Sequence, residues 1–268
     1  MPELPDVERF RRYLEATALH QRIVHLHVPG PELLVDTSPQ GLGRTLGGAE
    51  FSSATRHGKY LFALTDTGKC LVLHFGMTGE LAYSGRERPL PDYTQLEIDF
   101  EGDNRLAYIA PRKLGRIAVV NSPDEWISSR ELGPDALEIS EEAFLEQSSR
   151  SRSKVKSWLM DQHRLAGIGN YYSDEILFQS HLHPCASMGD LRESERRVLY
   201  QNMRRVLQLA IDRDADPAAL PRSFLLPHRI KGERCPRCGG TLQQLEVGGR
   251  TAYFCPACQP DVSAGGNG

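Results

Sequence analysis

No stretch of this 268-residue chain is apolar for long enough to cross a bilayer. Apolar runs are short, such as Cys70 to Leu73, which stops at His74, whereas a spanning helix needs about 20 apolar residues. The opening Met-Pro-Glu-Leu-Pro-Asp has no basic region leading into an apolar one, so no signal peptide is expected. Net positive charge is also missing. Lys and Arg total 32 against 35 Asp and Glu, giving −3, so no whole-surface attraction to a polyanion exists, and a nucleic-acid partner would need a local basic face. There is no internal repeat. Hydrophobic residues at 40% and charged residues at 25% exclude collagen, a coiled coil, a wholly disordered chain and a disulfide-dense toxin. The length allows one to three domains and a buried core that needs no covalent staple.

Cysteine is sparse except in one place. Cys70 and Cys185 stand alone, but Cys235 and Cys238 form one Cys-x-x-Cys pair and Cys255 and Cys258 another, with sixteen residues between the pairs. Four thiolates at this spacing can meet one zinc ion tetrahedrally at two knuckle turns. A closed four-cysteine site leaves no open position for a substrate, so the zinc is expected to be structural. The pattern fits a reducing cytosol better than a secreted scaffold. Around these cysteines Arg222, Arg229, Lys231, Arg234, Arg237 and Arg250 stand against Glu233 and Glu246, a local excess that suits phosphate contact.

The remaining chain changes texture twice. Residues 5–18 carry Val7, Phe10, Leu14 and Ala18 at helical spacing behind Pro5, which suits a first helical turn. From 22 to 120, short β-rich runs at 23–28, 60–64, 71–75, 96–100, 106–109 and 116–120 are separated by turn sequences such as Asp66-Thr67-Gly68-Lys69, which predicts a β-sandwich. Beyond 122 the pattern predicts helices: one starting at Ser140-Glu141-Glu142, two at 154–162 and 173–180 joined by Gly167-Ile168-Gly169-Asn170, and an amphipathic one over 190–212. The fold class is therefore multidomain α+β. An N-terminal sandwich with flanking helices spans 1–122, a helical domain 123–222 and a cysteine-bound hairpin 223–262, with a frayed tail at 263–268. The glycine turn could let a backbone approach a phosphate, with Asn170 adding an amide donor.

The N-terminus offers a nucleophile. Removal of Met1 leaves Pro2 as a secondary amine, and α-amino groups titrate near 8, so part of it is neutral at physiological pH. Such an amine attacks an electrophilic sugar carbon and becomes an iminium ion. Glu3 beside it can move protons.

Three motifs in one order resemble a single family, the bacterial formamidopyrimidine-DNA glycosylase and endonuclease VIII family. They are the opening Pro2-Glu3-Leu4-Pro5-Asp6-Val7-Glu8, the run from Lys156 to Phe178 that is similar to its helix–two-turn–helix element, and the terminal cysteine hairpin with Arg250 five residues before Cys255. The resemblance implies a monomeric base-excision-repair enzyme with one structural zinc. It would act on double-stranded DNA holding an oxidised base or an abasic site, in the bacterial cytosol and away from membranes. Pro2 would be the nucleophile on C1′, Glu3 the acid/base and Lys59 a phosphate contact at the lesion. His74, Asn170 and Arg250 would hold further phosphates. Met77 and Arg112 would fill the space left by the extruded base. Leu114 stands where the family has a stacking Phe and keeps an apolar wedge without a flat π face. Pro91-Asp92-Tyr93-Thr94 replaces a His-rich stretch. Leu4 points to the branch that removes oxidised purines such as 8-oxoguanine and formamidopyrimidines, while the short segment 213–228 points toward the pyrimidine branch. The rival readings are endonuclease VIII-like excision of oxidised pyrimidines and a catalytically silent damaged-DNA-binding protein.

Overall fold

A computed structural model describes residues 1–261, and the expected frayed tail lies outside the described residues. The chain divides into two compact units, Met1–Glu131 and one beginning at Leu132. No helix among the described residues is long and apolar enough to cross a membrane.

The first unit is the expected sandwich. Helix α1 (Leu4–Ala18) precedes β1 (Ile23–His27), α2 (Pro39–Leu46), β2 (Phe51–His57), β3 (Tyr60–Thr65), β4 (Cys70–His74), β5 (Glu80–Gly85), β6 (Thr94–Phe100), β7 (Asn104–Ile109), β8 (Arg116–Val120) and α3 (Pro123–Ser129). Two four-stranded antiparallel sheets form, in the orders β1-β6-β7-β5 and β2-β3-β4-β8. Alternating residues of both sheets, among them Leu61, Leu71, Leu73, Ile98, Leu106 and Tyr108, share one core with Val7, Phe10 and Leu14 of α1. Four of these elements escape the sequence pattern. Strands β2 and β5 are rich in polar and small residues and gain their place from pairing. Helix α2 contains two glycines, yet it forms because the Ser38 hydroxyl accepts from the Gly41 N–H, Pro39 opens the first turn, and Leu42 and Leu46 are buried. Ser122 and Pro123 start α3 in the same way.

The second unit holds α4 (Glu141–Ser149), α5 (Val155–Met160), α6 (Asn170–Gln179), α7 (Glu193–Ile211) and the hairpin β9 (Gln243–Val247)–β10 (Arg250–Phe254). Ser140 caps α4 as expected, accepting from the Ala143 N–H. Helix α6 begins three residues earlier than its apolar periodicity indicates. All residues from Tyr172 to Phe178 are buried, including Ser173, Asp174 and Glu175, so no amphipathic stripe marks its start.

Candidate functional site

In the first unit, Glu3 is the N-cap of α1 and closes a capping box with Asp6. Its backbone N–H donates to the Asp6 Oδ2 at 2.9 Å, and its carboxylate accepts from the Asp6 N–H. Glu3 is only 1% exposed. Asp6 is pushed above the ordinary carboxyl range by burial, against hydrogen bonding from Glu3. The helix is pinned in two places. The Phe10 ring lies 4.2 Å from that of Phe75, and Glu8 meets the largely buried Arg56 of β2 at 3.4 Å. Pro2 is thereby fixed to the head of a helix that is bolted to both β2 and the end of β4.

Lys59 sits in the two-residue turn joining β2 to β3, where His57 pairs with Tyr60. Gly58 takes φ 55°, the positive value such a hairpin needs at its first central position. Lys59 is 7% exposed. His74 ends β4, where its Nδ1 accepts from the Gly76 N–H at 3.3 Å and its ring lies 4.9 Å from that of Tyr60. Burial, followed by the charges of Lys59 and Arg116, pulls His74 down to about 4. At neutral pH it is therefore a neutral donor through Nε2, and any phosphate contact it makes carries no charge. The folded pKa lies below the unfolded value of about 6.5, so the native ring stays neutral while the unfolded one takes a proton. Stability from this site is present above about pH 6.5 and is lost as pH falls toward 4. The ring is partly exposed, which reduces the effect to on the order of 2 kcal/mol. Denaturant titrations at pH 7.5 and 4.5 should show wild type losing about that much more than His74→Gln. Parallel losses in the two proteins would contradict the assignment.

Met77 and Leu114 are 39% and 51% exposed, and Arg112 is exposed beside Leu114. Their loops touch through backbone: a Cβ on Gly76 would lie 2.5 Å from the Leu114 carbonyl carbon, and Gly76 has φ 59°. Glycine is the residue this contact permits.

In the second unit, Gly169 is the N-cap of α6 and Asn170 its first residue. Gln162 shapes the glycine turn, donating from Nε2 to the carbonyls of Met160 and Ile168 and accepting from the Gly167 N–H, at 2.8–3.0 Å. The Asn170 Oδ1 is buried without a hydrogen-bond partner. Arg250 opens β10 directly after the Gly248-Gly249 turn, where both glycines take positive φ, and a Cβ on Gly248 would lie 3.0 Å from the Ser157 Oγ. The turn that presents Arg250 thus rests on α5.

Two of the six basic residues read as a phosphate face also have partners within the protein. Arg229 donates from Nε to the Asp174 Oδ2 at 2.8 Å and lies between the rings of Tyr171 and Tyr253 at 4.3 and 4.5 Å. Arg237 donates to the Phe178 carbonyl and covers the Phe178 ring. Asp174 also accepts from Lys156 Nζ at 2.6 Å and from the Tyr253 N–H at 3.2 Å. This buried network joins α5, α6 and β10, the elements around Asn170 and Arg250. Periodicity could not reveal it, because charged residues inside a helix pattern ordinarily mark its wet face. Glu175, the next residue, is pushed up to about 7 by burial while accepting from Gln179 and the Leu226 N–H.

The four sulfurs of Cys235, Cys238, Cys255 and Cys258 all lie within 4.8 Å of one another, with Cys238–Cys255 at 3.5 Å and Cys235–Cys258 at 3.8 Å. A tetrahedral zinc with bonds of about 2.3 Å needs sulfurs about 3.8 Å apart, so the residues fit the ion. The Arg237 N–H donates to the Cys235 Sγ, and buried Gln259 closes the second knuckle on Cys255.

Three sequence profiles match in order: "Formamidopyrimidine-DNA glycosylase N-terminal domain" over residues 1–117, "Formamidopyrimidine-DNA glycosylase H2TH domain" over 132–220 and "Zinc finger found in FPG and IleRS" over 232–260. The chain is 31% identical to the formamidopyrimidine-DNA glycosylase of Herpetosiphon aurantiacus, covering 97% of this chain and 100% of that one. It is 34% identical to that of Thermomicrobium roseum, covering 97% and 99%. Among solved structures it is similar to the Lactococcus lactis Fpg (MutM) in complex with DNA containing N7-benzyl-Fapy-dG (TM-score 0.87, 30% identity, 97% and 100% covered). It is also similar to a MutM complex with DNA containing carbocyclic 8-oxo-G (TM-score 0.88, 30% identity, the same coverage).

Proposed function

The chain belongs to the formamidopyrimidine-DNA glycosylase family, and from that premise we propose how its own residues carry out the family's reaction. The protein is a DNA glycosylase with abasic-site lyase activity, acting in base-excision repair on duplex DNA. Its preferred lesion on this reading is an oxidised purine, 8-oxoguanine or a formamidopyrimidine, released from a nucleotide turned out of the stack.

Pro2, freed by removal of Met1, attacks C1′ through its nitrogen lone pair, and the glycosidic bond breaks with its electrons leaving on the base. The ammonium so formed passes its N–H proton to the Glu3 carboxylate, which delivers it to the sugar ring oxygen as the ring opens, leaving an iminium between Pro2 and C1′ while the departing base takes up a proton from solvent. The iminium draws electrons from the adjacent C–H. Loss of that proton expels the 3′ phosphate by β-elimination, and a δ-elimination then expels the 5′ phosphate. Strand cleavage is thus a consequence of using an amine instead of water. Met77, Arg112 and Leu114 occupy the vacated stack, Arg112 pairing with the orphaned base. Lys59, His74, Asn170 and Arg250 hold phosphates. One structural zinc keeps the hairpin that carries Arg250 closed on its four cysteines. The implied compartment is a reducing bacterial cytosol, where those cysteines remain thiolates.

The observation that carries this reading is the placement of Glu3, buried and held at the head of α1 directly after Pro2. A cleavage panel of 8-oxoguanine, ring-opened guanine, thymine glycol and dihydrouracil duplexes tests it. Cleavage of the first two is expected to dominate, dominance of the last two would move the protein to the pyrimidine branch, and inactivity on all four would refute the enzymatic reading. Binding offers a second check. Of the four phosphate contacts only Lys59 and Arg250 carry charge, so Arg250→Ala should reduce the slope of log affinity against log salt by about 0.9. His74→Gln should weaken binding and leave that slope unchanged.

A further inference from the structure

Five large apolar side chains of the first unit are exposed: Met1, Val24, Met77, Tyr93 and Leu114. Single exposed apolar residues need no explanation, but the last three belong to adjoining loops. Gly76 brings the Met77 loop against the Leu114 backbone. The Ala110 N–H, at the head of the Pro111–Leu114 loop, donates to the Tyr93 carbonyl at 3.1 Å. The same carbonyl accepts from the Gln95 Nε2 at 2.9 Å, and the Thr94 hydroxyl donates to the Pro91 carbonyl at 2.6 Å. The backbone of the Tyr93 segment is therefore tied to the loop that carries Arg112 and Leu114.

Tyr93 itself is 63% exposed and takes φ 62°, a left-handed conformation that disfavours a bulky residue. An aromatic residue held in a costly conformation and turned to solvent gains nothing for the fold from its ring. Such outliers cluster where a ligand is met, and exposed apolar side chains on loops tied together through their backbones offer a contact surface. Met77 and Leu114 can wedge between bases, but neither has a flat π face. Tyr93 does.

We propose that Tyr93 is a base-stacking residue, placing its ring on a nucleobase of the strand complementary to the lesion and supplying the aromatic face that Leu114 lacks. This rests on the reading that Met77, Arg112 and Leu114 meet the opened duplex. The complementary strand is the occupant because Tyr93 is tied to the loop whose Arg112 pairs with the orphaned base. Stacking needs only a π face, so the hydroxyl is dispensable.

The test uses the full chain and a duplex in which a tetrahydrofuran abasic analogue faces 2-aminopurine, with affinity and 2-aminopurine fluorescence read together. Tyr93→Phe should bind as wild type does and keep the fluorescence quenched. Tyr93→Leu and Tyr93→Ala should bind about tenfold or more weakly and leave the probe brighter. Wild-type affinity in Tyr93→Leu overturns the proposal. So does a loss in Tyr93→Phe as large as in Tyr93→Ala, which would make the hydroxyl the contact. Borohydride trapping of wild type on an abasic duplex runs in parallel. Tight binding without trapping refutes the amine mechanism and still leaves Tyr93 judged by the variants, whereas absence of duplex binding overturns both.

Discussion

Protein whose Pro2 nitrogen is locked in an amide, by a retained Met1 or a fused tag, is expected to form no borohydride-stable adduct with an 8-oxoguanine duplex and to cleave no strand. The reason is electronic. An amide nitrogen shares its lone pair with the carbonyl, so it neither attacks C1′ nor forms an iminium. Met1 is 43% exposed, which leaves it accessible to removal. Glu3→Gln separates the nucleophile from its proton carrier. It keeps a side-chain oxygen for the capping box and removes the acid, so turnover should fall by roughly 10²–10⁴-fold with little change in affinity for a tetrahydrofuran duplex. Mass spectrometry of the adduct-forming species decides the matter: full activity with Met1 still attached would end the proline mechanism, whatever the fold.

The second large effect lies away from the reacting atoms. Asp174→Ala should lower the unfolding free energy of the second unit by about 3–5 kcal/mol, because it leaves the Lys156 ammonium buried without its counter-charge. Lys156 and Asp174 have fully buried side chains and meet at 2.6 Å, and Arg229 would lose its partner as well. The Tyr253 N–H would also be orphaned, loosening the hairpin whose strand β10 opens with Arg250. Removing both members of the central pair, as Lys156→Met with Asp174→Asn, should cost less than the sum of the single changes, since the isolated charge disappears with its partner. Denaturant unfolding of the three variants measures this. A loss under about 1 kcal/mol for Asp174→Ala would mean that the network is incidental.

Much of the site is legible in the residue order because its signals are local. Cys235, Cys238, Cys255 and Cys258 are spaced for knuckle turns, and the fold gathers them as the spacing predicts. Ser140 reads as a helix cap and is one. The sandwich is visible through β1, β3, β4, β6, β7 and β8, whose apolar residues run together or alternate. It is invisible at β2 and β5, which are held by ladder hydrogen bonds instead of their own composition. The finger's cations have internal partners that their sequence does not show. Arg229 and Arg237 look like surface cations in sequence, yet one neutralises a buried carboxylate and the other covers an aromatic ring.

The sequence by itself determined the covalent chemistry: an imino acid followed by a carboxylate, four thiolates for one ion, and glycines where the backbone must turn tightly. Those depend on residue type and on neighbours a few positions away. Tertiary structure alone decided which groups keep their charge and which loops meet. His74 is neutral because burial and two neighbouring cations make it so, Lys156 has a place inside a core because Asp174 faces it, and Tyr93 joins the Leu114 loop because Ala110 bonds to its carbonyl. Desolvation and contacts between distant segments set these properties, and neither is written in any short stretch of chain.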